Sequence, residues 1–372
     1  MANSPELSTN VLSGTSGDVV DAVLALINQE TCADDAFDRL ALRLFAHQIS
    51  NNAAYRRFCQ RRGATLRNVH CWSDIPAVPI DAFKELELRC APPALTDRVF
   101  MTSGTTRSEV KGRHFHPTLE VYDRSMICNF SQRFMQGSER IEMGILFPDE
   151  TVLANSSLAH YLALAVRQFG AAESRYFLSQ QGLDTAGLCN ALANAERHGT
   201  PYALLGASYS FVHLIDALKQ RGTTFRLPPG SRVLDTGGYK GQSRELPLDA
   251  FYAELSALLG IHRSQCINMY GMTELSTQFY DAGNATVPSV KSGPHWIRSR
   301  LVDPLTGRTV PTGERGILVH CDLANFNSVT TILTEDVGIA VDGGFLLLGR
   351  AEGAQAKGCS LAVEEFIRAA AV

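Results

Sequence analysis

Five short loops hold the residues of this chain that could do chemistry. The first, FMTSGTTRSEVKGRHFHP from Phe100 to Pro117, places Ser103, Gly104, Thr105 and Thr106 directly after an apolar stretch. Small hydroxyl residues around a glycine let backbone N–H and side-chain O–H groups converge on phosphate oxygens. It is not a Walker A loop, because Glu109 stands where the second glycine would be. Arg107, Lys111 and Arg113 are the cations that could meet the phosphates. The second loop, LDTGGYKGQ, sets Gly237 and Gly238 before Tyr239, and two glycines permit close backbone approach to a flat ligand such as a purine. The third, NMYGMTELS, turns at Tyr270 and Gly271 and then offers the Thr273 hydroxyl and the Glu274 carboxylate. One carboxylate together with substrate phosphates is a common way to hold Mg²⁺. The fourth, TEDVG, carries Asp336, which could grip both hydroxyls of a ribose. The fifth, LGRAEGAQAKGCS, carries Arg350, able to reach ribose or phosphate oxygens, and the thiol Cys359. Taken singly, each is an ordinary turn or surface residue.

The elements that must position these loops follow from hydrophobic spacing. Before about residue 98 the chain reads as mostly helical, with Phe37, Leu40, Leu42, Leu44 and Phe45 at helical intervals. IPAVPIDAFKELELRCAPP is then broken by prolines and reads as a connector. From Val99 short apolar stretches (RVFMTS, EMGILFPD, RYFL, YALLGAS, RVLDTGG, CINMYG) alternate with longer helical patterns. That alternation predicts an α/β fold with a largely parallel sheet covered by helices, and ligands at the carboxyl ends of its strands. After about Val290 short strands with Gly, Pro and Asp turns predict a small antiparallel module. The expected division is a helical region at 1–98, an α/β nucleotide- and acyl-binding core at 99–290, an antiparallel β module at 291–350, and a mobile tail at 351–372 carrying Cys359.

Composition narrows the function classes. With 45% hydrophobic and 19% charged residues and a formal net charge of -4, the chain has an ordinary soluble composition and no strongly basic surface for nucleic acid. No apolar run approaches the roughly 20 residues of a membrane span. The N-terminal MANSPELSTNVLSGTSGD lacks the basic and apolar regions of a signal peptide. Nine cysteines, an odd number without a CxxC pair, point to reduced thiols in a cytoplasm rather than to a disulfide framework or a zinc site.

In their order along the chain, TSGTT, DTGG, YGMTE, TEDVG and GR resemble the core motifs of the adenylate-forming superfamily, with YGMTE the most specific. The resemblance covers about Val99 to Ser360. It implies a large adenylate-forming domain that activates a carboxylic acid with ATP and Mg²⁺. Members usually carry a further C-terminal domain with a catalytic lysine; here the chain stops soon after Arg350. That ending and KGCSLAVEEF are similar to one branch, the acyl-protein synthetase of LuxE type in bacterial bioluminescence. That branch takes a fatty acyl group from the adenylate onto its own cysteine and passes it to a reductase. The matching residue is Cys359. The phosphate loop departs from the superfamily pattern, since Arg107 follows Thr106, no proline is present, and Lys111 is displaced.

The resemblance implies roles for the candidates. Ser103, Gly104, Thr105 and Thr106 would hold the phosphates, with Lys111 among the cations beside them. Glu274 would hold the metal, and Gly271 and Thr273 beside it would join in binding the nucleotide. Asp336 would clamp the ribose beside Arg350. Gly237, Gly238 and Tyr239 would form an adenine slot, with Tyr270 stacking on the base. Cys359, just before the expected helix SLAVEEFIRAAA, would have a lowered pKa, with Lys357 adding positive charge. Gly353 and Gly358 would bracket a segment that swings the thiol to the adenylate. His114, His116 and His160 could polarise a carboxylate or phosphate but read more simply as structural, and the small residues of GASYSF could floor an acyl tunnel. Two alternatives stay open: a ligase that hands the acyl group to coenzyme A or a carrier protein, with Cys359 incidental, and a non-catalytic nucleotide binder acting as a scaffold.

Overall fold

Phe37, Leu40, Ala41, Leu44, Phe45 and Gln48 recur at helical spacing and bury one face of a helix. The computed structural model in which they do so describes residues 15–102, 110–239 and 241–370. The chain begins with α1 (Thr15–Ile27), α2 (Asp34–Asn51) and α3 (Ala53–Arg61), then the short strand β1 (Val78–Pro79) and α4 (Ala82–Glu85). Asn52 caps α3 by accepting from Tyr55 N at 3.1 Å, which satisfies one of the amides a helix start leaves open.

The alternation that follows builds a mostly parallel sheet. Its strands are β4 (Glu142–Leu146), β5 (Arg175–Tyr176), β8 (Tyr202–Ala207), β9 (Arg232–Thr236), β10 (Cys266–Tyr270) and β11 (Phe279–Tyr280), in the order β11-β10-β9-β8-β4-β5. Only β11 runs antiparallel to its neighbour. Strands β8 and β9 are buried along their whole length, as expected for a parallel sheet covered on both faces. The cover comes from α5 (Glu120–Phe130), α6 (Ser157–Phe169), α7 (Thr185–His198), α8 (Ser208–Arg221) and α9 (Leu248–Leu259). Two small hairpins stand apart: β2 (Arg98–Met101) with β3 (Arg113–His116), and β6 (Leu178–Ser179) with β7 (Gly182–Leu183). The stretch RVFMTS therefore belongs to an antiparallel hairpin and not to the parallel sheet. The sequence gives no local sign of this, because its partner is the polar strand RHFH across the loop.

The second sheet is largely antiparallel. It orders β12 (Val290–Lys291), β16 (Gly344–Arg350), β15 (Thr331–Val341), β14 (Arg315–Asp322) and β13 (Ile297–Val302), and β1 joins parallel to β15. Helices α1 to α3, this sheet and a last helix, α10 (Gly353–Ala370), share one apolar core that includes Phe37, Phe45, Phe58, Trp296, Ile332, Phe345 and Phe366. The segment expected as a mobile tail is thus a docked helix. Phe366 is fully buried 4.6 Å from Phe58, and the Arg61 and Arg57 guanidiniums bind the carbonyls of Arg368 and Ala370. Among the described residues no helix is long and apolar enough to cross a membrane.

The two sheets are tied by buried polar groups. Asp281 receives Lys291 Nζ at 2.6 Å, with both side chains almost wholly out of solvent. Asp322, at the end of β14, accepts from Ser276 N at 2.9 Å, Thr277 Oγ1 at 2.7 Å and Ala324 N at 3.0 Å. Removing one side of such a cluster leaves desolvated donors without partners. Asp322→Ala should therefore cost roughly 2–4 kcal/mol of stability. The urea midpoint of the variant measures this, and an unchanged midpoint would mean that water replaces the carboxylate without loss.

Candidate active site

The carboxyl ends of β8, β9 and β10 open on two connected cavities. One, of about 610 Å³, runs between the sheets and is lined by Gly237, Gly238, Tyr270, Gly271, Thr273 and Glu274 from the parallel side. Glu335, Asp336 and Arg350 line it from β15 and β16, and Ile80, Asp81 and Lys84 from the segment around α4. The other, of about 260 Å³, is lined by Tyr122, Phe147, Leu153, Leu158, Tyr161 and Met269 and shares Gly237, Gly238, Gly271, Met272 and Thr273 with the first. Gly237 adopts φ 72°, which a side chain would strain, and so lets β9 turn away at the point where the cavities meet.

Asp336 and Arg350 face each other across β15 and β16. Arg350 Nε lies 3.3 Å from Asp336 Oδ1, and its Nη1 donates to Glu335 Oε2 at 2.7 Å. Tyr270 Oη donates to Asp336 Oδ2 at 2.8 Å and lies 3.3 Å from His320 Nε2. Burial raises the Asp336 carboxyl, while Arg350 and the Tyr270 hydroxyl act against that rise. The Tyr270 ring is enclosed by Phe279, His320 and Phe345, so this side chain braces Asp336. Tyr239 turns the other way. Its hydroxyl donates to Leu246 O at 2.8 Å, its ring meets Phe251 edge-on, and it lines neither cavity.

Glu274 is 3% exposed, and burial pushes its carboxyl up to about 7, against the pull of Arg350 and Lys84. Its carbonyl is fixed by Asn325 Nδ2 at 2.8 Å. Across from it, a side chain on Gly112 would put its Cβ 2.9 Å from Glu274 Oε1, so glycine is what lets the β2–β3 hairpin close on this carboxylate. One buried carboxylate suits Mg²⁺, which is usually held by one or two carboxylates and substrate phosphates. Among the described residues no group of three or more His, Cys, Asp or Glu forms a cage for a metal. Ser103, Gly104, Thr105, Thr106 and Arg107 lie outside the described residues; Thr102 and Val110, which flank them, line the cleft. Lys111 is exposed and is not among the lining residues.

His114, His116 and His160 line neither cavity. His114 Nδ1 donates to Thr273 O at 3.0 Å, and burial pushes its imidazole down to about 4. His116 is lowered further, again by burial, and stays neutral. His160 sits between Asp123 and Glu150. Of GASYSF, Ala207 and Tyr209 line the smaller cavity, whereas Gly206 is needed for β8 to approach Leu146. Asp81, Lys84 and Glu335 were not singled out from the sequence. Glu335 stood beside Asp336 in TEDVG, but Asp81 and Lys84 showed only as charges in a proline-broken connector.

Cys359 differs most from expectation. It lies inside α10, past the first turn, rather than ahead of the helix. It is 3% exposed and packs with Val302, Ile317, Val319 and Val337. Burial raises the thiol to about 11, and Glu335, Asp81 and Asp336 add to the rise. The helix-terminus effect requires a position in the first turn, which Cys359 does not have. Gly358 serves close packing: a Cβ there would come 2.9 Å from Pro304 Cβ.

A parallel sheet opening on a cleft that an antiparallel sheet completes is the architecture of adenylate-forming ligases. A solved structure of 2-hydroxyisobutyryl-CoA ligase with 2-HIB-AMP and CoA superposes with a TM-score of 0.63 at 15% identity, over 86% of this chain and 71% of that one. The chain belongs to the acyl-protein synthetase family, LuxE, whose model matches residues 10–367. Similar curated proteins are the long-chain-fatty-acid–luciferin-component ligases of Vibrio harveyi and Aliivibrio fischeri. The first is 24% identical over 306 residues, covering 81% of this chain and 78% of that protein. The second is 21% identical over 308 residues, with the same coverage.

Two outcomes test the site. Asp336→Ala should weaken AMP binding by ~1–3 kcal/mol, read by calorimetry, if this carboxylate holds the ribose hydroxyls; unchanged affinity removes it from the site. The raised thiol gives the second. A cysteine with its folded pKa near 11 is protonated at neutral pH, and its thiolate accumulates only as pH climbs past about 9. Alkylation of Cys359 by iodoacetamide should therefore be slower in the folded protein than in urea and keep rising beyond pH 9. A rate that levels off near pH 8 would assign a primed thiol instead.

Proposed function

We propose that this acid-activating ligase converts a fatty acid and ATP to acyl-AMP, takes the acyl group onto Cys359, and delivers it to a partner such as an acyl reductase. The observation that carries the reading is the place of the thiol. Cys359 Sγ lies 3.9 Å from Thr334 O, and the next two residues of β15, Glu335 and Asp336, line the nucleotide cleft. One strand thus separates the nucleotide site from the acceptor.

In the first step a carboxylate oxygen bonds to the α-phosphorus while the bond to the β-phosphate oxygen breaks, and pyrophosphate leaves with the electron pair. Mg²⁺, when bound, would neutralise phosphate charge. Glu274 would hold it, Asp336 with Arg350 would fix the ribose, and the apolar walls of the smaller cavity would take the acyl chain. The long-chain-fatty-acid relatives support that substrate class for this chain. In the second step sulfur bonds to the acyl carbon, the carbon–oxygen bond to phosphate breaks, AMP leaves, and the thiol proton passes to solvent. The thiol must leave its apolar cluster for this step, so α10 has to shift.

The burial of Cys359 favours a second reading, in which coenzyme A or a carrier-protein thiol is the acceptor and Cys359 only packs. Intact-mass spectrometry after incubation with ATP, Mg²⁺ and a panel of fatty acids decides between them. The protein should gain one acyl mass without any pantetheine thiol, and neutral hydroxylamine should remove it. Cys359→Ala should keep pyrophosphate exchange and lose the adduct. An alanine variant that still gains the acyl mass would place the acceptor elsewhere.

A further inference from the structure

Part of the cleft wall comes from far upstream in the chain. Strand β1 pairs parallel with β15, Val78 beside Ile332 and Pro79 beside Leu333, and Ile80 N continues the ladder to Leu333 O at 2.9 Å. This pairing brings Asp81 and the four-residue helix α4 against the segment that carries Glu335 and Asp336. Ala82 and Phe83 are fully buried, and Phe83 meets the His114 ring edge-on at 5.9 Å. His114 in turn holds the carbonyl of Thr273, next to Glu274. Lys84 is therefore fixed from both sides of the cleft, by β15 through β1 and by the Glu274 loop through Phe83 and His114. Its ammonium lies 2.8 Å from Asp81 Oδ1, with the side chain 41% exposed and lining the cavity.

The charges of the cleft define what is needed there. Its described lining residues include four acids, Asp81, Glu274, Glu335 and Asp336, and two cations, Lys84 and Arg350. ATP and a carboxylate add several negative charges, and the reaction must bring two anions into bonding distance. Arg350 lies along β16, engaged by Glu335 and Asp336 at the ribose side. Lys84, on a flexible four-carbon stem, is a compact point charge of the kind that suits phosphate and carboxylate oxygens. Its field already acts on Glu274 and on Glu335, holding both carboxyls down against burial.

We propose that Lys84 is a catalytic residue of the adenylation step, its ammonium meeting the incoming carboxylate and the α-phosphate oxygens as the new phosphorus–oxygen bond forms. Lys84 stays protonated throughout and transfers no proton. It stabilises charge where charge builds up, which is how preorganised cations contribute most. The proposal rests on the adenylation reading above.

The test uses the full chain, tetradecanoate as the acid probe, and pyrophosphate exchange into ATP. Lys84→Met should lower the exchange kcat by about a hundredfold or more, with KM for ATP and calorimetric AMP affinity within about threefold. Lys84→Arg should recover a large part of the loss. Synthetic tetradecanoyl adenylate, which bypasses the first step, should acylate the Met variant at the wild-type rate. Exchange near the wild-type rate in Lys84→Met would overturn the proposal. So would an Arg variant no better than the Met variant, or a Met variant that loses AMP affinity and melts lower, since those mark a structural role. A wild-type protein without exchange would instead overturn adenylation itself, and the role of Lys84 with it.

Discussion

Asp322 is a carboxylate wholly shut away from water, and the geometry of the cleft depends on it. Burial raises its carboxyl to about 6, and the donors of Thr277, Ala324 and Ser276 work against that rise. Two of these donors belong to the loop that leaves the parallel sheet after β10, while Asp322 itself ends β14 in the other sheet. Asn325 extends the clamp by taking Ser276 N at 2.9 Å and giving its amide to Glu274 O. Thr277 Oγ1 also receives Trp296 Nε1 at 3.1 Å, which carries the tie into the shared apolar core. A loop that fixes one buried carboxylate at the cleft cannot rely on its own short turn. Here the second sheet reads its register through buried hydrogen bonds, each expensive to leave unmade.

The acids that line the cleft also act on the Cys359 thiol. Glu335, Asp81 and Asp336 all raise the Cys359 thiol, on top of its burial. On the proposed mechanism the electrostatic needs of the two half-reactions therefore oppose each other. A cleft rich in carboxylates suits a metal-bound nucleotide and a ribose clamp, but it disfavours a thiolate next door. A thiol held protonated behind β15 is protected from attack on the wrong electrophile and from oxidation, since reactivity follows thiolate character. On the proposed mechanism its activation would come with a change of surroundings, when sulfur leaves Val302, Val319 and Val337 for a site nearer the adenylate.

Much of this was legible from local sequence. Short apolar stretches alternating with helical patterns point to the parallel sheet and its helices, and the loops at YGMTE, DTGG, TEDVG and GR do converge on one cleft. What was not legible depended on distant contacts. Tyr270 lines the cleft as expected, but sequence cannot show that His320, Phe279 and Phe345 pack around its ring. Gly353 and Gly358 looked like hinges, yet α10 runs through Gly358, whose missing Cβ makes room for Pro304. A glycine kept for close approach and one kept for motion leave the same letter. Lys84 was invisible for another reason: its place is set by a two-residue parallel pairing between β1 and β15, far too short to leave a periodic signal.

Strand β15 is where these separate constraints meet. It pairs with β14, β16 and β1, so its backbone groups are engaged along both edges and its position is stiff. On it, Thr334 offers its carbonyl toward Cys359, Glu335 holds Arg350, and Asp336 takes the Tyr270 hydroxyl. The pairing with β1 adds Asp81 and Lys84 to the same wall. Asp336 with Arg350, Lys84 and Cys359 are thus referred to one rigid strand, from three different stretches of chain. On the proposed mechanism a stiff common reference would let α10 shift without disturbing a bound nucleotide, because Asp336 and Arg350 are held by strand pairing rather than by the helix. On that mechanism the fold would separate what must stay fixed during adenylation from what must move for acyl transfer.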